Sequence, residues 1–441
     1  MKIIEPASMD RDAVMALRDE RLDWRFKGLP SKLFGMRVLD AVNAGLDLFN
    51  DDFVGPLVVL DEPALEHNLR TMATWCKRHG LALAPHGKTT MAPQLFSRQL
   101  DHGAWAITAA NISQLRVYRA FGVSRVLMAN QLVDPAALRW LTGELDRDSS
   151  FSFSCFVDSV AGVGRMTDVL ASRPSVRGRP IDVMVELGGT GGRTGARGLA
   201  AAIEVAEAVM ASPALRLVGV AGYETALVHG ASPEDLSIVD AYLSDIRELV
   251  VRLAEGGHFV DLGTEPIRVT AGGSAYFDQV AAAFTQTWPA GLHVLGILRS
   301  GCYLTHDDGL YRRLSPFGRE HRMDGGTPFR PALQAWAQIS SHPEPALALL
   351  TMGRRDVPFD QDLPEPQFRR RNGGVTVPLI HSRVTALNDQ HAFLAVGEDD
   401  RVEVGEWVRF GLSHPCTTFD KWPLIPVVNG TRVVDLVRTF F

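Results

Sequence analysis

Between residues 81 and 298 the chain repeats one phrase. Apolar runs at 81–85, 105–109, 125–129, 151–157, 181–187, 217–222, 267–271 and 293–298 alternate with stretches of helical periodicity, among them 92–102, 112–121 and 196–211. The runs are continuously apolar, the pattern of parallel strands covered by helices on both faces. An open doubly wound sheet fits the same alternation, but no Gly-x-Gly-x-x-Gly turn follows the first strand. Eight such repeats is the number that closes a ring. The expectation is an α/β chain with a (β/α)8 TIM-type barrel.

The barrel does not use up the 441 residues. Residues 1–54 read as an N-terminal leader; Trp24, Phe26, Leu33, Phe34, Leu46, Leu48 and Phe49 make it too apolar for a disordered tail, so it is expected to pack on the body. The barrel is assigned to 55–301, opening with an apolar strand at 57–61 and a helix over 63–78 that Gly80 stops. After Gly301 a polar stretch at 306–330 precedes alternating or branched runs at 333–339, 346–351, 374–380, 391–395, 407–410 and 424–428, with no helical pattern between them. Residues 302–441 are therefore expected to form a second, mainly antiparallel β domain.

A net charge of −6 with no basic block argues against nucleic acid as a partner. No apolar stretch reaches membrane-spanning length, and residues 1–20 mix acids and bases without a secretory apolar core. Cys76, Cys155, Cys302 and Cys416 are too scattered for a disulfide framework and suit a reducing cytoplasm.

Pro85-His86-Gly87-Lys88-Thr89 stands at the end of the first run and before a helix, where barrel enzymes carry reactive groups. A lysine partly withdrawn from water loses its charge more readily and can form a Schiff base with an aldehyde cofactor or a carbonyl substrate. A solvated loop lysine is the other reading of the same position. Thr270-Ala271-Gly272-Gly273-Ser274-Ala275 follows the seventh run. Paired glycines let backbone amides approach an anion, Ser274 adds a hydroxyl, and the helix beyond favours negative charge; alone, the segment is equally a tight turn. With Lys88 it suggests a phosphorylated aldehyde cofactor.

The stretch 186–195 is rich in glycine but lacks the Gly-Lys-Ser/Thr of a nucleotide-binding loop. It carries Arg193 either into a cleft, to meet a ring nitrogen or a carboxylate, or into a surface ion pair. Near the C-terminus, His414-Pro415-Cys416 places an imidazole and a thiol two residues apart. On an extended chain both point to one side, and the proline disfavours a helical His414. These donors suit zinc with positions left open for water or substrate; two structural side chains are the plainer reading.

Seven ordered motifs, from about Pro56 to the C-terminus, resemble the fold-type III pyridoxal-phosphate enzymes, specifically the D-serine dehydratase and D-threonine aldolase group of the alanine racemase-like superfamily. They are the 56–61 strand, Pro85 to Thr89, Gly188 to Gly195 with Arg193, Gly222-Tyr223-Glu224, Ala271 to Ser274, Arg299-Ser300-Gly301-Cys302-Tyr303, and His414-Pro415-Cys416. The resemblance implies a Schiff-base role for Lys88 and a phosphate cradle at Gly272, Gly273 and Ser274. It further implies contacts from Arg193 and Tyr223 near the cofactor ring and a divalent metal at His414 and Cys416. The cofactors implied are pyridoxal 5'-phosphate and Zn2+, the substrate a small D-amino acid, and the assembly a homodimer.

Within the group, dehydratases look like His-x-Cys and aldolases usually have His-x-Asp, so Cys416 favours a zinc-dependent dehydratase. That lyase removes water from a 3-hydroxy-D-amino acid, giving a 2-oxo acid and ammonia. The group usually has a histidine after its Lys-Thr pair, where this chain has Thr90. Retro-aldol cleavage to glycine and an aldehyde is the alternative, since it uses the same parts. A metal-free racemase would need a second acid/base, for which Tyr303 is the candidate.

Overall fold

Eight parallel strands form the heart of one unit of the protein: β1 Ala82–Leu83, β2 Ile107–Ala109, β3 Arg125–Gln131, β4 Ser152–Val157, β5 Ile181–Gly188, β6 Leu215–Ala221, β7 Ile267–Ala271 and β8 Val294–Leu298. Each overlaps one of the eight apolar runs. In the computed structural model, which describes residues 5–171, 179–317, 327–371 and 374–441, the sheet runs in chain order from β2 to β8 and then to β1. A parallel bridge from His86 to Thr108, with Trp105 N–H donating to Leu83 O (2.7 Å) and Thr108 N–H to Pro85 O (2.8 Å), joins β1 back to β2 and closes the ring. This is the (β/α)8 barrel that the periodicity predicts. Seven of the eight residues of β5 are buried, as expected of a strand with no solvent face.

Side-chain caps start three of the helices between the strands. Asn111 accepts from Gln114 N–H ahead of Ile112–Ala120, Asp134 from Ala137 N–H ahead of Pro135–Arg147, and Ser232 forms a reciprocal capping box ahead of Pro233–Glu255. Strand starts, helix caps and turn glycines are all local signals, which is why the barrel is legible in sequence.

The second unit is a mainly antiparallel sheet. Its strands run Thr376–Pro378, Glu365–Arg370, Trp407–Gly411, Leu333–Glu344, Leu57–Asp61, Leu424–Asn429 and Arg432–Arg438, and Leu347–Leu350, Ala392–Ala395 and Arg383–Leu387 branch from Leu333–Glu344. Glu365–Arg370, Arg383–Leu387 and Arg432–Arg438 escaped the sequence reading because charge interrupts their alternation.

The division into units differs from the contiguous one expected. The barrel unit comprises Met1–Asp10, Met72–Lys88 and Gln99–Gly301; the sheet unit comprises Arg11–Thr71, Thr89–Arg98 and Cys302–Phe441. The strand Leu57–Asp61, expected to open the barrel, pairs antiparallel with Leu333–Trp336 and parallel with Val427–Val428. From Arg11 on, the leader is built into the same unit: Leu22, Phe26, Leu33, Leu46 and Leu48 share a core with Leu57, Val59, Trp336, Leu424 and Val433. Trp24, 80% exposed, and Phe34, 41% exposed, are the exceptions. Of the polar stretch 306–330, residues 318–326 lie outside the described residues, as do 1–4 of the leader. Among the described residues no helix is long and apolar enough to cross a membrane.

Candidate active site

Two groups of side chains have the chemistry of a site, one in each unit. In the barrel unit, β1 ends in the tight turn Gly87–Thr89, which carries Lys88. A Cβ at Gly87 would stand 2.5 Å from the Tyr118 hydroxyl and 2.8 Å from the Ile107 methyl, so only glycine lets the backbone pass this close to the barrel wall. Arg193 is exposed on the 188–195 loop, with its guanidinium carbon 4.9 Å from the centre of the Tyr223 ring. The loop is held in shape by Arg197, which donates to the carbonyls of Gly192, Arg193, Thr194 and Gly195, and by the Thr194 hydroxyl bonded to Glu186 at 3.1 Å.

The glycine pair is not an open cradle. The amides of Gly272 and Gly273 donate to the two carboxylate oxygens of Glu224, at 3.0 and 2.6 Å, and Glu224 is fully buried. A buried carboxylate must find donors, and these amides are its partners. Gly272 has φ +129°, a backbone conformation side chains rarely adopt, and a Cβ on Gly273 would meet Thr225 Oγ1 at 2.5 Å. Glu224 entered the sequence reading only as part of a motif; nothing local marks it as the occupant of amides 48 residues downstream.

Arg299 also went unassigned. It is 1% exposed, with Nη1 donating to Thr270 Oγ1 and Nη2 to Gly222 O, both at 2.7 Å. Burial lowers its pKa. Burial also holds His86 well below the usual histidine range, and Lys88, Arg299 and Arg193 push it further down, so its ring is neutral. Glu186 is shifted upward by burial, against the hydrogen bonds from Gln131 and Thr194. His86 Nδ1 and Arg299 Nε are buried without a hydrogen-bond partner among the described residues. Buried nitrogens of this kind normally have a partner, and an anionic heteroaromatic ligand offers the acceptors they lack. Lys88, Arg299 and Arg193 place positive charge around His86.

In the sheet unit, His414 and Cys416 come together as the sequence motif suggests, but not on an extended chain. His414 has φ +59°, Pro415 is right-handed helical, and Cys416 begins the short helix Cys416–Phe419. The buried Asp307 carboxylate accepts the His414 N–H (3.2 Å) and fixes this turn. Asp360 Oδ2 lies 2.5 Å from His414 Nδ1 and also takes up the Thr417 hydroxyl through Oδ1 at 2.8 Å. The Cys416 sulfur is 3.6 Å from that of Cys302 and 3.5 Å from Thr89 Oγ1.

Cys416 raises the His414 pKa to about 9, with Asp360 adding to the effect. Contact with Cys302, and then with His414, takes the Cys416 pKa well below the ordinary thiol value, while Cys302 is raised. The two shifts favour charge on both groups, a thiolate at Cys416 and a proton on His414. Zinc replaces that proton readily, and a carboxylate on Nδ1 leaves Nε2 as the ligating nitrogen. Among the described residues no set of three or more His, Cys, Asp or Glu side chains is arranged to hold a metal. The imidazole and thiol of His414 and Cys416 are donors of the kind a metal with open positions would take. Tyr303 is buried in the turn Cys302–Leu304, its ring 6.2 Å from that of Phe329.

Comparison with known proteins agrees with this picture at the level of fold and class. Residues 332–428 match a family model described as "Putative serine dehydratase domain", a stretch that includes His414 and Cys416 but not Lys88. A D-threonine aldolase of Arthrobacter sp is 27% identical over 389 residues, covering 86% of this chain and 90% of that protein. The crystal structure of D-threonine aldolase from Filomicrobium marinum superposes with a TM-score of 0.72 at 23% identity, covering 90% of this chain and 97% of the other. D-threo-3-hydroxyaspartate dehydratase from Delftia sp. HT23 does so at 0.67 and 20% identity, covering 88% and 98%. The chain has the alanine racemase-like fold. It is similar to D-amino acid aldolases and dehydratases.

Proposed function

We propose that the protein is a lyase that removes water from a 3-hydroxy-D-amino acid, giving a 2-oxo acid and ammonia, with pyridoxal 5'-phosphate and zinc as cofactors. The observation that carries this reading is the Cys416 sulfur beside the His414 imidazole, with Asp360 behind it: a nitrogen and sulfur donor pair of the kind zinc prefers. Lys88 would hold the cofactor aldehyde, Arg193 and Tyr223 would border its ring, and the Gly272-Gly273-Ser274 turn would seat its phosphate. Ser274 is the principal donor of that turn, because Glu224 engages the two glycine amides. Bound pyridoxal phosphate supplies a sink for negative charge at the substrate Cα, and bound zinc a Lewis acid that makes the β-hydroxyl a better leaving group.

The chain's own residues do the rest. Lys88 Nζ takes the α-proton. Arg193, exposed on its braced loop, pairs with the substrate carboxylate. Glu224 keeps the Gly272-Gly273 turn rigid, and Asp360 orients the His414 ring. The reading includes a homodimer working in a reducing cytoplasm.

Retro-aldol cleavage is the second reading, favoured by similarity to the D-threonine aldolase of Arthrobacter sp over most of the chain. The test is the product formed from D-threonine by protein loaded with cofactor and zinc. Elimination gives 2-oxobutanoate and ammonia. Glycine and acetaldehyde would replace the dehydratase reading with the aldolase one, and turnover undiminished by a chelator would remove the metal from the reaction.

A further inference from the structure

Cys302 opens the turn Cys302–Leu304 and Cys416 opens the helix Cys416–Phe419, and both belong to the sheet unit. They are 114 residues apart in sequence, yet their sulfurs stand 3.6 Å apart. A disulfide bond is about 2.05 Å long, so closure requires an approach of roughly 1.5 Å, shared between two side chains at the ends of short elements. Thr89 Oγ1 lies 3.5 Å from one sulfur and 3.8 Å from the other, so the thiols meet in a polar setting. The pair is also asymmetric: Cys416 is partly exposed and Cys302 buried. Cys76 and Cys155 are buried in the barrel unit.

We propose that Cys302 and Cys416 form a site of reversible oxidation by a small-molecule disulfide such as oxidised glutathione. Cys416, the less buried of the two residues, attacks a sulfur of the oxidant as its thiolate. A mixed disulfide forms, and the first small thiolate departs. Cys302 then gives up its proton and attacks the Cys416 sulfur, which expels the second small thiolate and closes the Cys302–Cys416 bond. Two protein thiols are oxidised, one small disulfide is reduced to two thiols, and the two protons leave with them. Cys302 is the resolving residue, and its position makes the mixed disulfide short-lived.

The consequence for activity rests on the lyase reading. A sulfur in a disulfide is no longer a thiolate ligand, so oxidation withdraws Cys416 from the metal and reduction restores it.

Metal-free full-length protein is treated with oxidised glutathione, and its intact mass and peptide map are recorded. The expected result is loss of two hydrogens, no retained glutathione and a Cys302–Cys416 cross-linked peptide, all reversed by dithiothreitol. Cys302→Ser is expected to retain glutathione on Cys416 instead. A lasting glutathione adduct on the wild-type protein, an unchanged mass, or a cross-link that survives Cys302→Ser overturns the proposal. Zinc added before the oxidant is expected to slow cross-linking. If cross-linking proceeds equally fast with zinc, the pair stands and the metal assignment at Cys416 falls, which separates the two failures.

Discussion

Asp360→Asn tests the support behind the proposed metal site. In the native protein Asp360 Oδ2 lies 2.5 Å from His414 Nδ1, and Oδ1 accepts from Thr417. Asparagine keeps the shape and still offers a carbonyl to Nδ1–H, so the change removes charge and little else. Carboxylates behind ligating histidines contribute about 10- to 100-fold to metal affinity. The Asp360 side chain is 38% exposed and the His414 side chain 23%, so solvent screens the pair and places the effect near the low end. Zinc affinity is expected to fall about tenfold, roughly 1.4 kcal/mol.

The pH dependence has a definite sign. His414, raised to about 9, must lose its proton to bind zinc, and Asp360 is one of the groups that hold the proton there. Asp360→Asn eases that competition below pH 9, so the loss of affinity is smaller at pH 7 and widens as the pH approaches 9. Competition against a chromophoric chelator at several pH values measures both quantities, with thermal melts of the metal-free variant as the folding control. Affinity unchanged within about twofold across the range would refute the role assigned to Asp360.

Lys88→Ala is expected to abolish the visible absorbance of lysine-bound pyridoxal; persistence of the band would remove Lys88 from its role. Gly87→Ala drives a methyl to 2.5 Å from the hydroxyl of the fully buried Tyr118, an overpacking expected to cost about 1–3 kcal/mol; an unchanged urea midpoint would show that the turn yields. His306, 5% exposed, has a pKa lowered to about 4 by burial and by Arg312, from an ordinary 6.5. Its stabilising contribution is present above pH 6.5 and is lost as the pH falls through about 4, a difference of roughly 3 kcal/mol. His306→Asn, which tolerates the left-handed backbone at this position (φ +48°), is expected to flatten that part of the curve of urea midpoint against pH; an identical slope in the variant would refute the assignment.

What the sequence determined by itself was everything encoded over a few residues. The eight barrel strands overlap the eight apolar runs because burial on both faces leaves a continuous apolar signature in the strand itself. The caps at Asn111, Asp134 and Ser232 are likewise set by the local backbone.

Tertiary structure decided what depends on distant partners. Leu57–Asp61 reads as a strand wherever it pairs, and only the antiparallel partner Leu333–Trp336 and the parallel partner Val427–Val428 assign it to the sheet unit. The glycine pair at 272–273 reads as an anion cradle until Glu224, 48 residues earlier, fills it. His414 and Cys416 read as neighbours on an extended chain, but a left-handed His414 held by Asp307 brings them together. Cys302, 114 residues before Cys416, carries no mark of the sulfur it touches. Periodicity records whether a residue is buried; which group buries it, and with what charge, is fixed only when the chain closes on itself.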